Sequence, residues 1–391
     1  MSSNKHIYEQ RFDVSYNYPV AFTEDLFNPG NPLLCEILKR AGTKRHRVLT
    51  CIDSGVFAAW PHLPKMVQDF AHAHPTLMEC IGEPVIITGG EASKNNPHLL
   101  AQLHRKVADE GIDRHSFIIA IGGGAVLDLV GFAAATAHRG VRLIRVPTTV
   151  LAQNDAGVGV KNGINAYGSK NFLGSFCPPF AVLNDHRFLS TLERRDGIAG
   201  LAEAVKVALI RDRLFFDWMM EKRTDLNAFE PKATARCIRR CAELHLRHIA
   251  AGGDPFEGGS ARPLDFGHWA AHKLEVLSHH ALRHGEAVAI GIALDSRYSF
   301  EIGSISESEF KAIIRLLDGL GLPTHHPLLG ATNSRGELLI LEGLEEFRQH
   351  LGGQLTVTLL TALGEGCEVN EMQPSVIRSS VDFLLHEHLA A

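Results

Sequence analysis

The sequence predicts an α/β fold followed by an all-α fold: an N-terminal domain built on a parallel sheet, then a C-terminal helical domain. Short apolar runs alternate with helical stretches up to about residue 190. Beyond that point, long stretches have helical periodicity and few β-branched runs. A length of 391 residues suits two domains, which we place at residues 1–190 and 191–391.

Five apolar segments of the first half are predicted strands. They are 47–53, 84–88, 117–122, 142–147 and 181–185. Strands that are apolar on both faces are typical of a parallel sheet covered by helices on both sides. The clearest of those helices is expected at 96–111, and a late strand-like segment lies at 354–360.

The second half of the chain has a different periodicity. Helices are predicted over 200–222, 232–251 and 285–303, because apolar residues recur there at three- and four-residue spacing. Residues 254–263 are rich in Gly and Pro and are predicted to form a loop.

The composition narrows the possible classes of protein. The hydrophobic fraction of 45% supports a large core, and a net charge of −5 favours neither a nucleic-acid nor a membrane partner. The N-terminus lacks the apolar core of a signal peptide. Seven cysteines without a CxxC pair fit a reduced, cytoplasmic protein.

A glycine-rich turn follows the third predicted strand. Gly122–Gly124 precede a helix, and glycines at a helix N-terminus let phosphate oxygens approach backbone N–H groups. A tight strand-to-helix turn without a ligand is the simpler interpretation, and Asp128 could cap the helix or reach a ligand. Thr148 and Thr149 end the next strand, and Asp53 ends an earlier one. Ligands of open α/β sheets bind at this edge, so the three features together favour a nucleotide site.

Three segments of the helical half carry candidate metal ligands: Glu203, His268 and His284. His272 lies four residues after His268, on the same helix face. Two imidazoles, one carboxylate and an open position suit a catalytic zinc ion, although no HExxH motif is present. Taken singly, each residue is as readily a hydrogen-bonded polar group in a helix.

The stretch 154–176 is rich in Gly and Asn and carries Lys161, Lys170 and Asn171. Ammonium groups among glycines at strand ends suit anionic oxygens, but a solvated loop has the same composition. Lys206 lies three residues after Glu203 on one helix face. A cation beside a metal-binding carboxylate makes chemical sense if a phosphate lies between them.

Six linked motifs, in this order, identify the chain as similar to the 3-dehydroquinate synthase superfamily, the sugar phosphate cyclases. The motifs span roughly residues 50 to 300 and are GGGAVLDLVGFAAATAHRG, VPTTVLAQNDAGVGVKNGIN, KNFLGSF, GLAEAVKVALI, DFGHWAAH and HGEAVAIGI. The resemblance implies a Rossmann-like N-terminal domain, a helical C-terminal metal-binding domain, bound NAD and a divalent metal, Zn2+ or Co2+. It also implies a homodimer.

The resemblance assigns roles residue by residue. The metal ligands would be Glu203, His268 and His284. The cofactor contacts would be Asp53, Glu91, Lys94, Gly123, Gly124, Asp128, Thr148, Thr149, Lys170 and Thr191. The substrate phosphate would meet Lys161, Asn171, Lys206, His272 and, from the neighbouring subunit, Arg139. Asp155 would bind the region of the substrate hydroxyls.

The chain departs from dehydroquinate synthases where that family binds the substrate carboxylate. Asp265 replaces an asparagine, and segment 243–253 lacks the lysine that the family carries there. The nearest cations are Arg262 and Arg348, both shifted relative to the family pattern. An added acid would repel a carboxylate.

We therefore hypothesise a substrate without that carboxylate, with sedoheptulose 7-phosphate as the best candidate, as in valiolone-type cyclases. Lys161, Lys206, His272, Asp155 and Asp265 would be the catalytic residues. The resemblance implies transient oxidation, phosphate elimination, re-reduction, ring opening and an intramolecular aldol. His272 stands where the 2-epi-5-epi-valiolone branch usually carries a proline-bearing segment, which indicates a less common branch.

Three alternatives stay open at this stage. Arg262 and Arg348 could hold a carboxylate in a shifted arrangement, which would make the protein a 3-dehydroquinate synthase. The same fold also supports a glycerol dehydrogenase-like oxidoreductase that depends on NAD and metal. A non-enzymatic nucleotide sensor is the third, and the intact Glu203, His268 and His284 argue against it.

Overall fold

The computed structural model describes residues 7–167, 169–251, 264–350 and 353–386. The strands are β1 (Val20–Thr23), β2 (His46–Asp53), β3 (Met78–Cys80), β4 (Val85–Ile87), β5 (Phe117–Gly122), β6 (Arg142–Pro147), β7 (Lys161–Ala166), β8 (Ser169–Phe176), β9 (Ala181–Asp185), β10 (Val357–Ala362) and β11 (Glu365–Val369). The α-helices are α1 (Leu33–Lys39), α2 (Ser54–Ala59), α3 (Leu63–Ala73), α4 (Pro97–Asp109), α5 (Gly124–Thr136), α6 (Arg194–Ala199), α7 (Leu201–Arg211), α8 (Arg213–Glu221), α9 (Arg223–Asn227), α10 (Pro231–Ala250), α11 (His268–Leu277), α12 (His284–Glu301), α13 (Glu307–Leu320), α14 (Glu342–His350) and α15 (Pro374–His386).

The N-terminal half is built on a parallel sheet of seven strands. Its order is β1-β9-β6-β5-β2-β3. Both β3 and β4 pair with β2, β3 with its first residues and β4 with its last. The five strands predicted in this half are confirmed. The apolar residues of β2, β5, β6 and β9 are buried, which suits the interior of such a sheet, whereas Ile86 of the short strand β4 is exposed. The short strands β1 and β3, which pair over only a few residues at the two margins, were not predicted.

Of the two interpretations left open for 154–176, the solvated loop does not describe most of that stretch. β7 and β8 form an antiparallel hairpin, preceded by a π-helical turn at Ala152–Ala156. Glycine and asparagine are poor strand formers, so the pattern of this segment hid the hairpin. The late strand begins at residue 357 rather than 354, and it pairs with the unpredicted β11.

The second half is helical, as predicted, with one break. Asp212 adopts an extended conformation and accepts a hydrogen bond from the N–H of Phe215, which separates α7 from α8 within the predicted helix 200–222. The predicted loop 254–263 lies outside the described residues. Among the helices that the structure describes, none is long and apolar enough to cross a membrane.

A buried arginine holds the segment that leads into the hairpin. Arg145 of β6 is fully buried, and its guanidinium donates to the carbonyl oxygens of Gly157, Gly159 and Lys161 at 2.8–3.1 Å. It also donates to Oδ1 of Asn162 at 2.6 Å. Four acceptor oxygens between Gly157 and Asn162 therefore depend on one planar guanidinium group.

We expect Arg145→Lys to lower the free energy of unfolding by about 3 kcal/mol, because an ammonium cannot serve four acceptors in this fork geometry. Arg142→Lys is the matched control on the same strand, since Arg142 is partly exposed and donates to a single carbonyl, that of His115. It should cost less than about 1 kcal/mol. Urea unfolding measures both, and equal costs for the two variants would contradict the role given to Arg145.

Candidate active site

Three side chains from three helices converge in the C-terminal half. Glu203 lies in α7, and His268 and His284 are the first residues of α11 and α12. Their ligand atoms all lie within 4.8 Å of one another. The Nε2 atoms of His268 and His284 are 3.7 and 3.4 Å from Oε1 of Glu203. We call this group the triad.

Glycines bring the helices that carry the two histidines together. Gly267, just before His268, has φ of 78°, and a Cβ there would lie 2.7 Å from the nitrogen of Ile292. A Cβ at Gly291 would lie 2.0 Å from the carbonyl oxygen of Gly267. The start of α11 therefore touches the backbone of α12 directly, a contact that no larger residue permits.

The triad fits a divalent metal ion. Both carboxylate oxygens of Glu203 are buried without a hydrogen bond of good geometry from the described residues, although the Lys206 ammonium is in contact with one of them. Burial lowers the pKa of His268 to about 4, with Lys206 adding to the effect, so this imidazole is neutral and offers a lone pair. Two imidazoles and a carboxylate are a zinc-type donor set with a position left open.

Charge around His284 also favours a cation. Burial lowers the pKa of His284, but the adjacent carboxylates of Glu203 and Glu275 outweigh it and raise the pKa to about 10. Two carboxylates thus stabilise positive charge at this ring. A metal ion on Nε2 would benefit from the same field in place of the proton.

Glu275 supports the triad from behind and was not predicted. Its Oε2 lies 3.4 Å from Nδ1 of His284, and its Oε1 accepts from Nζ of Lys170 at 2.9 Å. A carboxylate on the far nitrogen of a ligand histidine orients the ring. Lys170, which we predicted among the cofactor contacts, instead joins the β7–β8 hairpin to this carboxylate. Glu275 lies seven residues after His268, a spacing that places both residues on one helix face and could have indicated this role.

His272 lies beside the triad on α11. Its ring centroid is 5.6 Å from that of His268 and 6.5 Å from that of Phe347 on α14. Burial lowers the pKa of His272 to about 3, and the imidazoles of His268 and His284 lower it further. A neutral imidazole can donate one hydrogen bond to a phosphate oxygen.

Lys206 and Asp155 lie on the other flank of Glu203. Burial opposes charge on Lys206, but Glu203 and Asp155 raise the pKa of the ammonium overall. Burial raises the pKa of the Asp155 carboxyl, while Lys206 and His245 lower it to a net value below normal. His245 of α10, which sequence reasoning missed, brings Nδ1 to 2.5 Å from Oδ1 of Asp155.

A cavity at the carboxyl edge of the sheet collects half of the predicted cofactor residues. It has a volume of about 290 Å³. The predicted residues that line it are Asp53, Gly123, Thr148, Thr149 and Thr191. Gly124 begins α5 beside it. Trp60 gives the cavity an apolar wall and donates from Nε1 to Oγ1 of Thr191 at 2.8 Å.

Three further predicted cofactor residues, Glu91, Lys94 and Asp128, form a second polar cluster. Lys94 is buried, its Nζ lies 2.9 Å from Oδ2 of Asp128, and it contacts Oδ1 of Asn171. Glu91 accepts from Asn165 at 3.0 Å. Asn171, predicted at the substrate phosphate, therefore lies with Lys94 rather than with His272.

The structure treats the outlying residues differently. Arg348 is exposed, contacts Glu345 and donates to the carbonyl of Gly353, so its substrate contact stays a prediction. Arg139 is exposed and has a φ of 62° after His138 at 51°. The other outlying positions are Asp265, whose charge acts on Lys206 and His272, Lys161, which begins β7, and Arg262, which lies outside the described residues.

Comparison with known sequences matches both halves of the chain. Residues 84–199 match the family described as 3-dehydroquinate synthase N-terminal, and residues 200–339 match its C-terminal counterpart. The 3-dehydroquinate synthase of Halorhodospira halophila (strain DSM 244 / SL1) is 37% identical over 72% of this chain and 77% of its own length. This chain belongs to the 3-dehydroquinate synthase superfamily. The enzyme of that name from Nitrosococcus oceani is 36% identical over 76% of the chain and 81% of its own.

Several solved structures share the fold of this chain. A 2-epi-5-epi-valiolone synthase from Streptomyces hygroscopicus subsp. jinggangensis 5008, with NAD+ and Zn2+ bound, has a TM-score of 0.86 at 27% identity. The match covers 97% of this chain and 100% of that one. A 2-deoxy-scyllo-inosose synthase complexed with carbaglucose-6-phosphate, NAD+ and Co2+ has a TM-score of 0.75 at 23% identity, over 93% and 95% of the two chains. A probable glycerol dehydrogenase from Sinorhizobium meliloti 1021 shares the fold at 15% identity, with a TM-score of 0.63 over 96% and 99%.

We expect Glu275→Gln to weaken zinc binding by about 10- to 100-fold, because an amide orients the ring of His284 less well than a carboxylate. Zinc competition against a chelating dye measures the affinity directly. Glu307→Gln is the control, since that exposed carboxylate pairs only with Lys311 on the surface of α13. Unchanged zinc affinity in Glu275→Gln would contradict the support given to His284.

Asp295 gives the site a pH-dependent stability. It is fully buried in α12 and accepts from the N–H of Gly267 at 3.0 Å and Nε1 of Trp269 at 2.9 Å. Burial raises its pKa from 3.8 to about 7, so the folded chain binds a proton that the unfolded chain has already released. Stability from this group is therefore lost as the pH rises from about 4 to 7.

The difference in unfolding free energy between wild type and the non-titrating Asp295→Asn should fall by about 2 kcal/mol between about pH 5 and pH 7. Denaturant unfolding at several pH values measures it. The constant cost of the substitution cancels in this comparison. A difference that stays level or rises with pH would contradict the raised pKa.

Proposed function

We propose that this protein is an NAD- and divalent-metal-dependent sugar phosphate cyclase that acts on a heptulose phosphate without a C1 carboxylate, with sedoheptulose 7-phosphate the preferred candidate. Phosphate would be eliminated and a carbocycle formed. The proposal rests on two groups near His272, the carboxylate of Asp265 and the ring of Phe347. A site that binds a substrate carboxylate would need cations at these two positions.

The residues of this chain fit both cofactors. The cavity at the sheet edge would hold NAD, with Gly123 and Gly124 admitting its phosphates and Asp53 meeting a ribose. Glu203, His268 and His284 would hold Zn2+ or Co2+, the metals named for the two similar structures. When bound, NAD supplies a hydride acceptor that is regenerated within one turnover, and the metal supplies a Lewis acid.

The chain's own groups would hold the substrate phosphate next to the triad. Lys206 is charged and buried, so its attraction for a phosphate is weakly screened. His272 offers a neutral N–H donor, and Lys161 offers a second ammonium. Holding the phosphate by several donors orients the sugar and stabilises the leaving dianion.

The residues on the far side of His272 would discriminate between substrates with and without a C1 carboxylate. Phe347 and Arg348 are neighbours on α14, but Phe347 packs against His272, whereas Arg348 engages Glu345. The helix therefore turns an apolar ring toward the site and its cation toward the surface. A carboxylate placed here would meet an apolar ring and the negative charge of Asp265, both unfavourable.

A second candidate is 3-dehydroquinate synthase itself. The relatives that are 36–37% identical carry that name, and sequence likeness of this extent is a specific observation in its favour. It would require Arg262 or Arg348 to meet the substrate carboxylate. The two candidates differ in one substrate group and can be separated directly.

We further propose that the enzyme works as a cytoplasmic homodimer. Arg139 is exposed, makes no contact within the described part of its own subunit and follows His138 in a left-handed turn. From there it would reach the phosphate site of the partner. Mixed dimers of Arg139→Ala and Lys206→Ala subunits should regain activity if one intact site is assembled.

The decisive assay incubates the NAD- and zinc-loaded enzyme with sedoheptulose 7-phosphate and, separately, with the heptulosonate 7-phosphate that carries a C1 carboxylate. We expect phosphate release and a carbocyclic product, seen by NMR, from the first substrate. Turnover of the heptulosonate alone would overturn the proposal. Net accumulation of NADH would instead indicate a dehydrogenase.

Asp265→Asn tests the discriminating charge. We expect it to raise kcat/KM for the heptulosonate relative to sedoheptulose 7-phosphate by about tenfold, because like-charge repulsion at short range is worth roughly 1–2 kcal/mol. The control is Asp217→Asn, on the surface of α8, where Asp217 pairs with Arg213. An unchanged ratio in Asp265→Asn would remove Asp265 from the account of specificity.

A further inference from the structure

His245 is a largely buried imidazole that neither the triad nor the phosphate residues use. It lies on α10 with 12% of its side chain exposed, and Nδ1 is 2.5 Å from Oδ1 of Asp155. On the other side of the ring, a Cβ at Gly159 would lie 3.8 Å from Nε2. Within the described parts of the chain, no residue is hydrogen-bonded to Nε2.

The partnership with Asp155 defines the state of the ring. Asp155 stays ionised because Lys206 and His245 together outweigh the effect of its burial on the pKa. Oδ1 of Asp155 faces Nδ1, and a carboxylate at that place favours the tautomer that carries its proton on Nδ1 and a lone pair on Nε2. An imidazole oriented in this way is suited to accept a proton and return it.

His245 lies beside Asp155, on the same flank of Glu203 as Lys206. His272 lies on the other flank, where it interacts with His268, His284 and Phe347. A sugar whose phosphate meets Lys206 and His272 and whose hydroxyls meet Asp155, as the resemblance implies, would bring its anomeric hydroxyl within reach of His245.

We propose that His245, oriented by Asp155, is the acid–base residue that opens the sugar ring and completes its closure as a carbocycle; this inference rests on the proposed function. Nε2 takes the proton of the anomeric hydroxyl, so that an O–H bond breaks and an N–H bond forms. The anomeric carbon becomes a ketone as its bond to the ring oxygen breaks. The electron pair of that bond stays on the ring oxygen, which together with the alkene left by phosphate elimination becomes an enolate.

The second half of the step returns the proton. The terminal carbon of the enolate attacks the new ketone, forms the carbon–carbon bond of the ring and leaves an alkoxide on the former anomeric carbon. That alkoxide takes the proton back from Nε2. One proton is moved away and returned, so the step needs neither an oxidant nor a second reactant.

The residue type matters at this position. A lysine ammonium carries no lone pair at neutral pH, whereas a neutral imidazole accepts a proton readily. His245 lies in segment 243–253, which contains no lysine.

The test measures two products in one reaction. The variants His245→Gln and His245→Lys are loaded with NAD and zinc. Each is then mixed, with enzyme in excess of substrate for a single turnover, with a sugar phosphate that the wild type converts. Phosphate release is followed by a coupled dye assay, and carbocycle formation by quenched-flow NMR or mass spectrometry. Arg247→Gln, an exposed change on the same helix, is the control.

We expect phosphate release to stay within about threefold of wild type in both variants, while carbocycle formation falls by about 100-fold or more. An open or uncyclised enol intermediate should accumulate, and closure in solution should give a mixture of stereoisomers. Arg247→Gln should change neither rate. Zinc content and the thermal midpoint show that each variant is folded and loaded.

Other outcomes overturn the inference. Equal losses of both rates in a folded, zinc-loaded variant would place His245 before phosphate elimination, and unchanged rates would remove it from the chemistry. The wild type separately decides the proposed function by which heptulose phosphate it converts. If it converts only the heptulosonate, the proposed substrate fails while the ratio of rates in His245→Gln still tests His245. No conversion of either substrate overturns both.

Discussion

The buried carboxylate of Glu203 is the constraint on which the rest of the site depends. A fully buried negative charge is costly unless cations surround it, and within α7 Lys206 is the cation that contacts Glu203. The remaining positive charge must come from other helices. His268 and His284 supply imidazole donors, and a metal ion held between them and Glu203 would complete the balance.

That requirement explains the packing around the site. The first residues of α11 and α12 reach Glu203 because Gly267 and Gly291 let the two helices touch backbone to backbone. Asp295 then anchors the same turn from the opposite side through Gly267 and Trp269. The two histidine ligands thus begin helices that are in direct backbone contact, at Gly267 and Gly291.

The same electrostatics connect the two halves of the chain. Lys170 reaches from the β7–β8 hairpin to Glu275, and Glu275 reaches His284. Asp155, in the turn before that hairpin, lies between Lys206 and His245. The hairpin and its preceding turn thus place N-terminal residues on both flanks of the triad, where a sugar phosphate would lie between cofactor and metal.

Much of this architecture follows from local sequence. The four central strands β2, β5, β6 and β9 were predicted because a strand buried on both faces must be apolar throughout, and the helices of the second half because their periodicity is regular. The triad and the cavity residues were named from linked motifs. The hairpin was missed because glycine and asparagine carry a turn-like pattern whatever they pair with.

The sequence by itself therefore determined the fold class, the order of elements and the identity of the triad. Only the tertiary structure decided which charges meet. Glu275 meets Lys170 across 105 residues of chain, and Asp155 meets His245 across the boundary between the two halves. Nor does the sequence show that α14 turns Phe347 toward His272 and Arg348 away from it. Such pairings depend on how distant elements pack, and a local pattern carries no record of that geometry.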